Sequence, residues 1–239
     1  MAEENTKQEK PQRHKRKIII IAAGLLASFF VALAISFVKL VKVQRDDLYS
    51  GQNVQPAASG RLSEEQAANL AANSKFWLGT SDPDISIFEF GDYACQYCHN
   101  SFFKIREISA RYQDRLRYAW LDFPALGQDS LLFAQAARCA GEQGLFWPMH
   151  DKLFQNYDQL SVNVLKSLAA QAGVDSVRFA ACLDKQKYLK DVQAEYELGL
   201  SLGVEATPTW FINGQKIAGD IPRDIFLDLI EHLLKNTTK

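Results

Sequence analysis

Cys95 and Cys98, three positions apart, are the residues of this chain best suited to covalent chemistry. A thiolate is a strong nucleophile, and a second thiol one helical turn away can close a disulfide with it and expel whatever it had bonded. The local sequence favours the thiolate. An apolar run at 85–90 reads as a buried strand, breaks at Gly91-Asp92, and brings Cys95 to where the next helix should begin. Unpaired N–H groups and the positive dipole end of a helix stabilise a negative sulfur there. Such sites lower a cysteine pKa from about 8.5 to roughly 3.5–7.5. Cys95 is therefore expected to be the exposed nucleophile and Cys98 the resolving thiol.

The same residues admit other readings. Two structural cysteines are the plainest. A zinc half-site lacks its second half, since no further Cys-x-x-Cys or His pair follows and zinc takes four ligands. Cys95-Gln96-Tyr97-Cys98-His99 is also a literal C-x-x-C-H, the attachment signature of c-type haem. The pentapeptide alone does not choose, so the elements around it must.

Of 239 residues, the first 45 hold nine Lys/Arg against Glu3, Glu4 and Glu9, and the remainder is net acidic, which argues against nucleic acid as a partner. Residues 18–38 carry no charge, and a helix of that length spans the ~30 Å hydrocarbon core of a bilayer. Six Lys/Arg precede this span and three closely follow it, so 1–17 is expected to stay cytoplasmic, with 18–38 as an uncleaved transmembrane anchor. Ala32-Leu33-Ala34 resembles a signal cleavage site, but the apolar run is long for a signal peptide. Either way the rest lies outside the cytoplasm, in the periplasm or at the outer cell surface, where disulfides persist.

Residues 39–75 read as a tether and spacer helix, the helix opened by a Ser63-x-x-Gln66 capping box. A loop over 76–84 leads into the strand at 85–90. A helix to about Tyr112 follows, with Phe102, Ile105 and Ile108 on its core face, then a strand through Leu116, Tyr118 and Trp120. Strand, helix, strand makes a parallel βαβ unit. Helices then occupy about 127–201, the third capped by Ser161, the fourth by Asp175, and the last beginning near 186. A strand at 210–212, an Asn213-Gly214 turn, a strand at 216–218 and a helix from Pro222 close the chain. That helix is expected to bury Ile225, Phe226, Leu229, Ile230 and Leu233. Cys139 and Cys182 fall on the apolar faces of two inserted helices. The compartment favours a structural disulfide between them; two buried free thiols are the alternative.

Four stretches in this order resemble the DsbA-like thiol-disulfide oxidoreductases over about 76–236. They are Phe88-Glu89-Phe90 before the Cys-x-x-Cys, Asp122-Phe123-Pro124, Phe146-Trp147-Pro148-Met149-His150-Asp151, and Thr207-Pro208-Thr209-Trp210-Phe211-Ile212-Asn213-Gly214. The resemblance implies an α/β, thioredoxin-like fold with an inserted all-helical subdomain, here preceded by the single transmembrane helix. It implies a cis Thr207-Pro208 bond packed against Cys95 and Cys98, and an inward Glu89 that exchanges a proton with Cys98. No metal or organic cofactor is called for. The expected partners are unfolded or reduced secreted proteins and a membrane redox partner that recycles the cysteine pair. Gln96-Tyr97 replaces the proline and histidine of the strongest oxidases in the family, so an isomerase or reductase kept reduced is the nearest alternative. From other classes come a membrane-tethered c-type cytochrome and a chaperone-like binder without redox chemistry.

Overall fold

The computed structural model describes residues 60–236. The basic segment 1–17, the span 18–38 and the tether before residue 60 lie outside the described residues. Among the described residues, no helix is long and apolar enough to cross a membrane.

The chain opens with α1 (Glu64–Asn73), whose capping box is formed by both reciprocal bonds: Gln66 N–H to Ser63 Oγ at 3.1 Å and Ser63 N–H to Gln66 Oε1 at 2.9 Å. Then come β1 (Phe76–Gly79), β2 (Ile85–Gly91), α2 (Gln96–Arg111) and β3 (Leu116–Asp122). Five helices follow, α3 (Gln128–Gly141), α4 (Phe146–Gln155), α5 (Leu165–Gln171), α6 (Ser176–Asp184) and α7 (Leu189–Ser201). The chain closes with β4 (Thr209–Ile212), β5 (Gln215–Ala218) and α8 (Arg223–Asn236). The strands form one sheet in the order β1-β3-β2-β4-β5, parallel between β2 and β3 and antiparallel elsewhere.

Side chains alternate across a strand, and here the two faces have different covers. Ile85 and Ile87 of β2, Tyr118 of β3 and Trp210 of β4 pack under Ile105 and Ile108 of α2 and Phe226 and Ile230 of α8. Phe88, Phe90, Leu121 and Phe211 face the other way, against Leu70 of α1 with Leu198 and Tyr196 of α7. The third apolar cluster belongs mainly to α3–α7 and extends to Tyr93, Cys98, Phe102 and Trp120. The helical insert thus shares its core with the cysteine motif.

Four local expectations need correction. The loop over 76–84 contains β1, a strand of four residues held by antiparallel pairing to β3. Ser161 makes no side-chain cap; a 3-10 turn, Val162–Val164, precedes α5 instead. Gln186 has φ 49°, in the left-handed region, and α7 begins only at Leu189. In α8, Phe226, Ile230 and Leu234 are the buried residues and Ile225 is 55% exposed, because its neighbour Phe226 takes the inward position.

Cys139 of α3 and Cys182 of α6 form a disulfide with Cα atoms 5.8 Å apart. Its partners are separated by 43 positions, a loop for which the chain-entropy model gives roughly 4 kcal/mol of stabilisation. The double variant Cys139→Ala/Cys182→Ala should therefore unfold at markedly lower urea, with a loss of about 3–4 kcal/mol by linear extrapolation. An unchanged midpoint would show that this cross-link contributes nothing to stability.

Candidate active site

The site is built at the end of β2. Gly91 is required there by its neighbour, since a Cβ at this position would lie 2.2 Å from the Trp120 ring. Asp92 then turns the chain. Its buried carboxylate accepts the N–H of Ala94 at 2.8 Å, of Ala125 at 2.9 Å and of Leu126 at 3.1 Å, tying the motif's approach to the loop after β3. The Asp92 N–H itself points at Cys98 Sγ, 3.4 Å away. Tyr157 reaches from the insert to donate its hydroxyl to the Ala94 carbonyl at 3.2 Å.

Cys95 occupies the N-cap of α2 with extended backbone, and Cys98 lies in the first turn. Both are free thiols. Contrary to the expected exposed nucleophile, Cys95 is only 6% exposed. The segment at Thr207 covers it from across the fold: in the thiol form Cys95 Sγ donates to the Thr207 carbonyl at 3.3 Å. The Thr207-Pro208 bond is cis.

The two sulfurs differ sharply in acidity. Cys95 is lowered to about 6, first by the hydrogen bond from the Cys98 thiol, then by the Thr207 side chain and the helix N–H groups of Cys98 and Tyr97, with burial opposing. Cys98 is pushed well above the usual thiol range by burial, by its hydrogen bond to Cys95 and by the nearby Glu89 charge. At neutral pH the first sulfur is an anion and the second keeps its proton.

Glu89 is 2% exposed and receives the Tyr118 hydroxyl at 2.7 Å. Burial raises its carboxyl to about 8, against the lowering effect of that hydrogen bond. His99 is half-buried, stacked on Tyr157 with centroids 4.6 Å apart, and its Nδ1 lies 3.1 Å from the Phe154 carbonyl, so Nδ1 carries the proton. His150 is buried among Tyr93, Phe102, Trp120, Phe146, Trp147 and Phe154. Cys139 and Cys182 lie in the insert, separate from the redox pair. Among the described residues no cluster of His, Cys, Asp and Glu is arranged to hold a metal ion.

The family model described as thioredoxin matches residues 71–232. The chain belongs to the thioredoxin family. Oxidised BdbD from Bacillus subtilis superposes with a TM-score of 0.62 at 25% identity, over 76% of this chain and 100% of that one. The thiol-disulfide exchange protein α-DsbA2 of Wolbachia pipientis shares the fold, with a TM-score of 0.63 at 18% identity over 75% of this chain and 100% of that one. Among curated proteins, the Na(+)/H(+) antiporter NhaA of Herminiimonas arsenicoxydans is 30% identical over 141 residues, 59% of this chain and 22% of that protein. The chain spans about a quarter of the length of the curated relatives it matches. Within the thioredoxin-like fold, sequence reading had passed over Asp92, Tyr118 and Tyr157. Asp92 showed only as a strand break, and the other two act across tertiary contacts that no local pattern marks.

Two outcomes follow. Iodoacetamide should label Cys95 in the reduced protein with a rate midpoint near pH 6 while Cys98 stays unlabelled, and equal labelling at that pH would contradict the asymmetry. For Glu89, the folded pKa of about 8 lies above the unfolded 4.5, so its contribution to stability is fully present below pH 4.5 and is lost as pH rises through 8. Glu89→Gln removes that loss. Its stability should match wild type near pH 4 and exceed it by on the order of a few kcal/mol above pH 8, by denaturant titration of the oxidised proteins.

Proposed function

We propose that the protein is a membrane-anchored, extracytoplasmic thiol-disulfide oxidoreductase that introduces or exchanges disulfides in secreted proteins. The observation that carries this reading is the unequal pair: Cys95 at about 6 and Cys98 far above it, one helical turn apart. In the oxidising direction a substrate thiolate attacks Cys95 of the Cys95–Cys98 disulfide. The S–S bond breaks, Cys98 leaves with the electron pair and takes up a proton, and substrate and Cys95 are joined. A second substrate thiolate then attacks the substrate sulfur of that mixed disulfide. The substrate disulfide forms, Cys95 departs as a stabilised thiolate, and the protein is left reduced by two electrons.

In this scheme Cys95 is the sulfur attacked and Cys98 the leaving thiol; in the opposite direction Cys95 is the nucleophile and Cys98 the resolving thiol. Glu89 holds or supplies the Cys98 proton. The Thr207 carbonyl lies 3.3 Å from the reacting sulfur, and the backbone at the cis Thr207-Pro208 bond would pair with an extended substrate peptide. The uncharged span 18–38, basic before and after, supports the single-pass anchor with a cytoplasmic N-terminus. A membrane redox partner would reoxidise the pair. The c-type haem reading is disfavoured because Cys98 is buried and His99 is engaged with Phe154 and Tyr157.

The direction of electron flow follows from how strongly the Cys95 thiolate is held, because stabilising the reduced form makes a pair more oxidising. The helix N-terminus and the Cys98 thiol supply that stabilisation, whereas Tyr97, 62% exposed, adds no charge. The expected reduction potential therefore lies between strong oxidases and thioredoxin-like reductants, roughly −120 to −270 mV. Glutathione equilibration gives the value, Tyr97→His should move it towards the oxidising end, and Cys98→Ala should accumulate mixed disulfides on Cys95. A potential below the thioredoxin end, with no oxidation of a reduced unfolded substrate, would assign the protein to the reductase or isomerase class.

A further inference from the structure

The stretch Phe146-Trp147-Pro148-Met149-His150-Asp151 at the start of α4 touches neither sulfur through a hydrogen bond, yet two of its side chains bear on the proton-handling part of the site. Glu89 shares its face of β2 with Ile85 and Ile87, the face covered by the motif helix α2. Tyr118 stands on the same face of β3, where Ile87 is its register partner and Glu89 lies one pleat further on. The Tyr118 hydroxyl is the one hydrogen-bond donor to Glu89 among the described residues. Trp147 packs on the Tyr118 ring with centroids 5.4 Å apart. Trp147 is fixed in turn by its indole N–H to the Trp77 carbonyl at 3.3 Å and by the Arg106 guanidinium 5.6 Å over its ring. Asp151 completes the frame with an ion pair to Arg106 of α2 at 3.0 Å.

We propose that Tyr118 is a positioning residue for proton transfer between Glu89 and Cys98, and that Trp147 of the helical insert holds Tyr118 to that task. The proposal rests on the oxidoreductase reading and deepens it. Other charged and titratable groups bearing on Glu89 and Tyr118 are Cys95 and Cys98 on the motif helix, Tyr93 before it, Arg106, and Asp220 after β5, which accepts from Ser101 and Lys104. None of the anionic ones favours a carboxylate at Glu89. The phenol is the group that does, and as a neutral donor it stabilises the charged form without locking it in an ion pair.

When Cys98 is expelled from the disulfide, the Glu89 carboxyl gives its proton to the Cys98 sulfur. In the reverse step the Glu89 carboxylate takes the Cys98 S–H proton. The Cys98 thiolate then attacks the Cys95 sulfur of a mixed disulfide, re-forms the Cys95–Cys98 bond, and releases the partner as a thiolate, so the pair is oxidised and the partner reduced. Without the Tyr118 hydroxyl the carboxylate loses its donor and this reverse step should need higher pH.

The test is stopped-flow oxidation of the reduced protein by oxidised glutathione, at concentrations where unimolecular closure by Cys98 limits the rate, across pH 5–10. Tyr118→Phe should slow closure about ten-fold at pH 8 and move its pH midpoint upward, while alkylation of Cys95 at pH 6 stays as in wild type. Trp147→Leu should shift the profile in the same direction by less. An unmoved profile in Tyr118→Phe, with Glu89→Gln abolishing the pH dependence, would overturn the role of Tyr118. If Glu89→Gln also leaves the profile unmoved, Glu89 handles no proton and the proposal falls, while the reading of Cys95 and Cys98 survives; failure of the pair to be oxidised at all would remove that reading. If Tyr118→Phe does not fold, titration of the Glu89 carboxyl by carbon-13 NMR in wild type and Trp147→Leu decides: an upward shift supports the proposal and an identical curve refutes it.

Discussion

The hydrogen bond from the Cys98 thiol to the Cys95 sulfur holds only while Cys98 keeps its proton, and much of the surrounding fold serves to keep it. Burial is the means. Trp120, Tyr93 and Phe102 enclose Cys98, and the Trp120 ring fits because residue 91 has no side chain. Burial without compensation would make Cys98 inert, since a thiolate there lacks water. The Asp92 N–H, 3.4 Å from that sulfur, is the compensating donor. The turn that presents the donor is held by three backbone hydrogen bonds to its own carboxylate.

The helical insert is tied to this arrangement by charge as well as by packing. Arg138 of α3 is buried between Asp122 of β3, at 2.6 Å, and Glu195 of α7, at 2.5 Å. Asp122 also accepts the Trp120 indole N–H at 2.7 Å, so the ring enclosing Cys98 is aimed by the same carboxylate that anchors the insert. Glu195 accepts the Asp122 N–H at 2.7 Å. Such a cluster adds little net stability compared with apolar packing, but removing one member strands the others at a cost of about 3–5 kcal/mol. The cluster ties α3 and α7 to the end of β3.

How much of this was legible in the sequence depended on the reach of each interaction. The strand-to-helix break at Gly91-Asp92 is local, and it located Cys95 and Cys98 without help from the rest of the chain. The capping residues Ser63 and Asp175 were legible for the same reason, since each bonds within its own first turn. Ser161 has the right residue type but faces a 3-10 turn, which a propensity argument does not distinguish from a helix start. β1 escaped because four residues carry little periodicity and the strand exists by pairing with β3. The exposure of Cys95 was misjudged because the segment that covers it lies 112 positions away. The Tyr118–Glu89 bond was hidden for a related reason: it depends on the register of two parallel strands, which alternation along either strand does not specify.

His99 shows how tertiary contacts limit what a neighbour in sequence can do. One residue beyond the motif, it invites the idea of a charge that substitutes for a histidine between the cysteines. Its Nδ1–H is instead given to the Phe154 carbonyl, and its ring lies against Tyr157, whose hydroxyl returns to Ala94. His99 and Tyr157 therefore close a loop of contacts from α2 through the insert to the residue before Cys95. The electrostatic work on the thiolate is left to the helix N–H groups, the Thr207 side chain and the Cys98 proton. Each of these is set by the backbone at the end of β2 or at the start of β4, so the acidity of Cys95 is a property of the fold's geometry more than of the dipeptide between the cysteines.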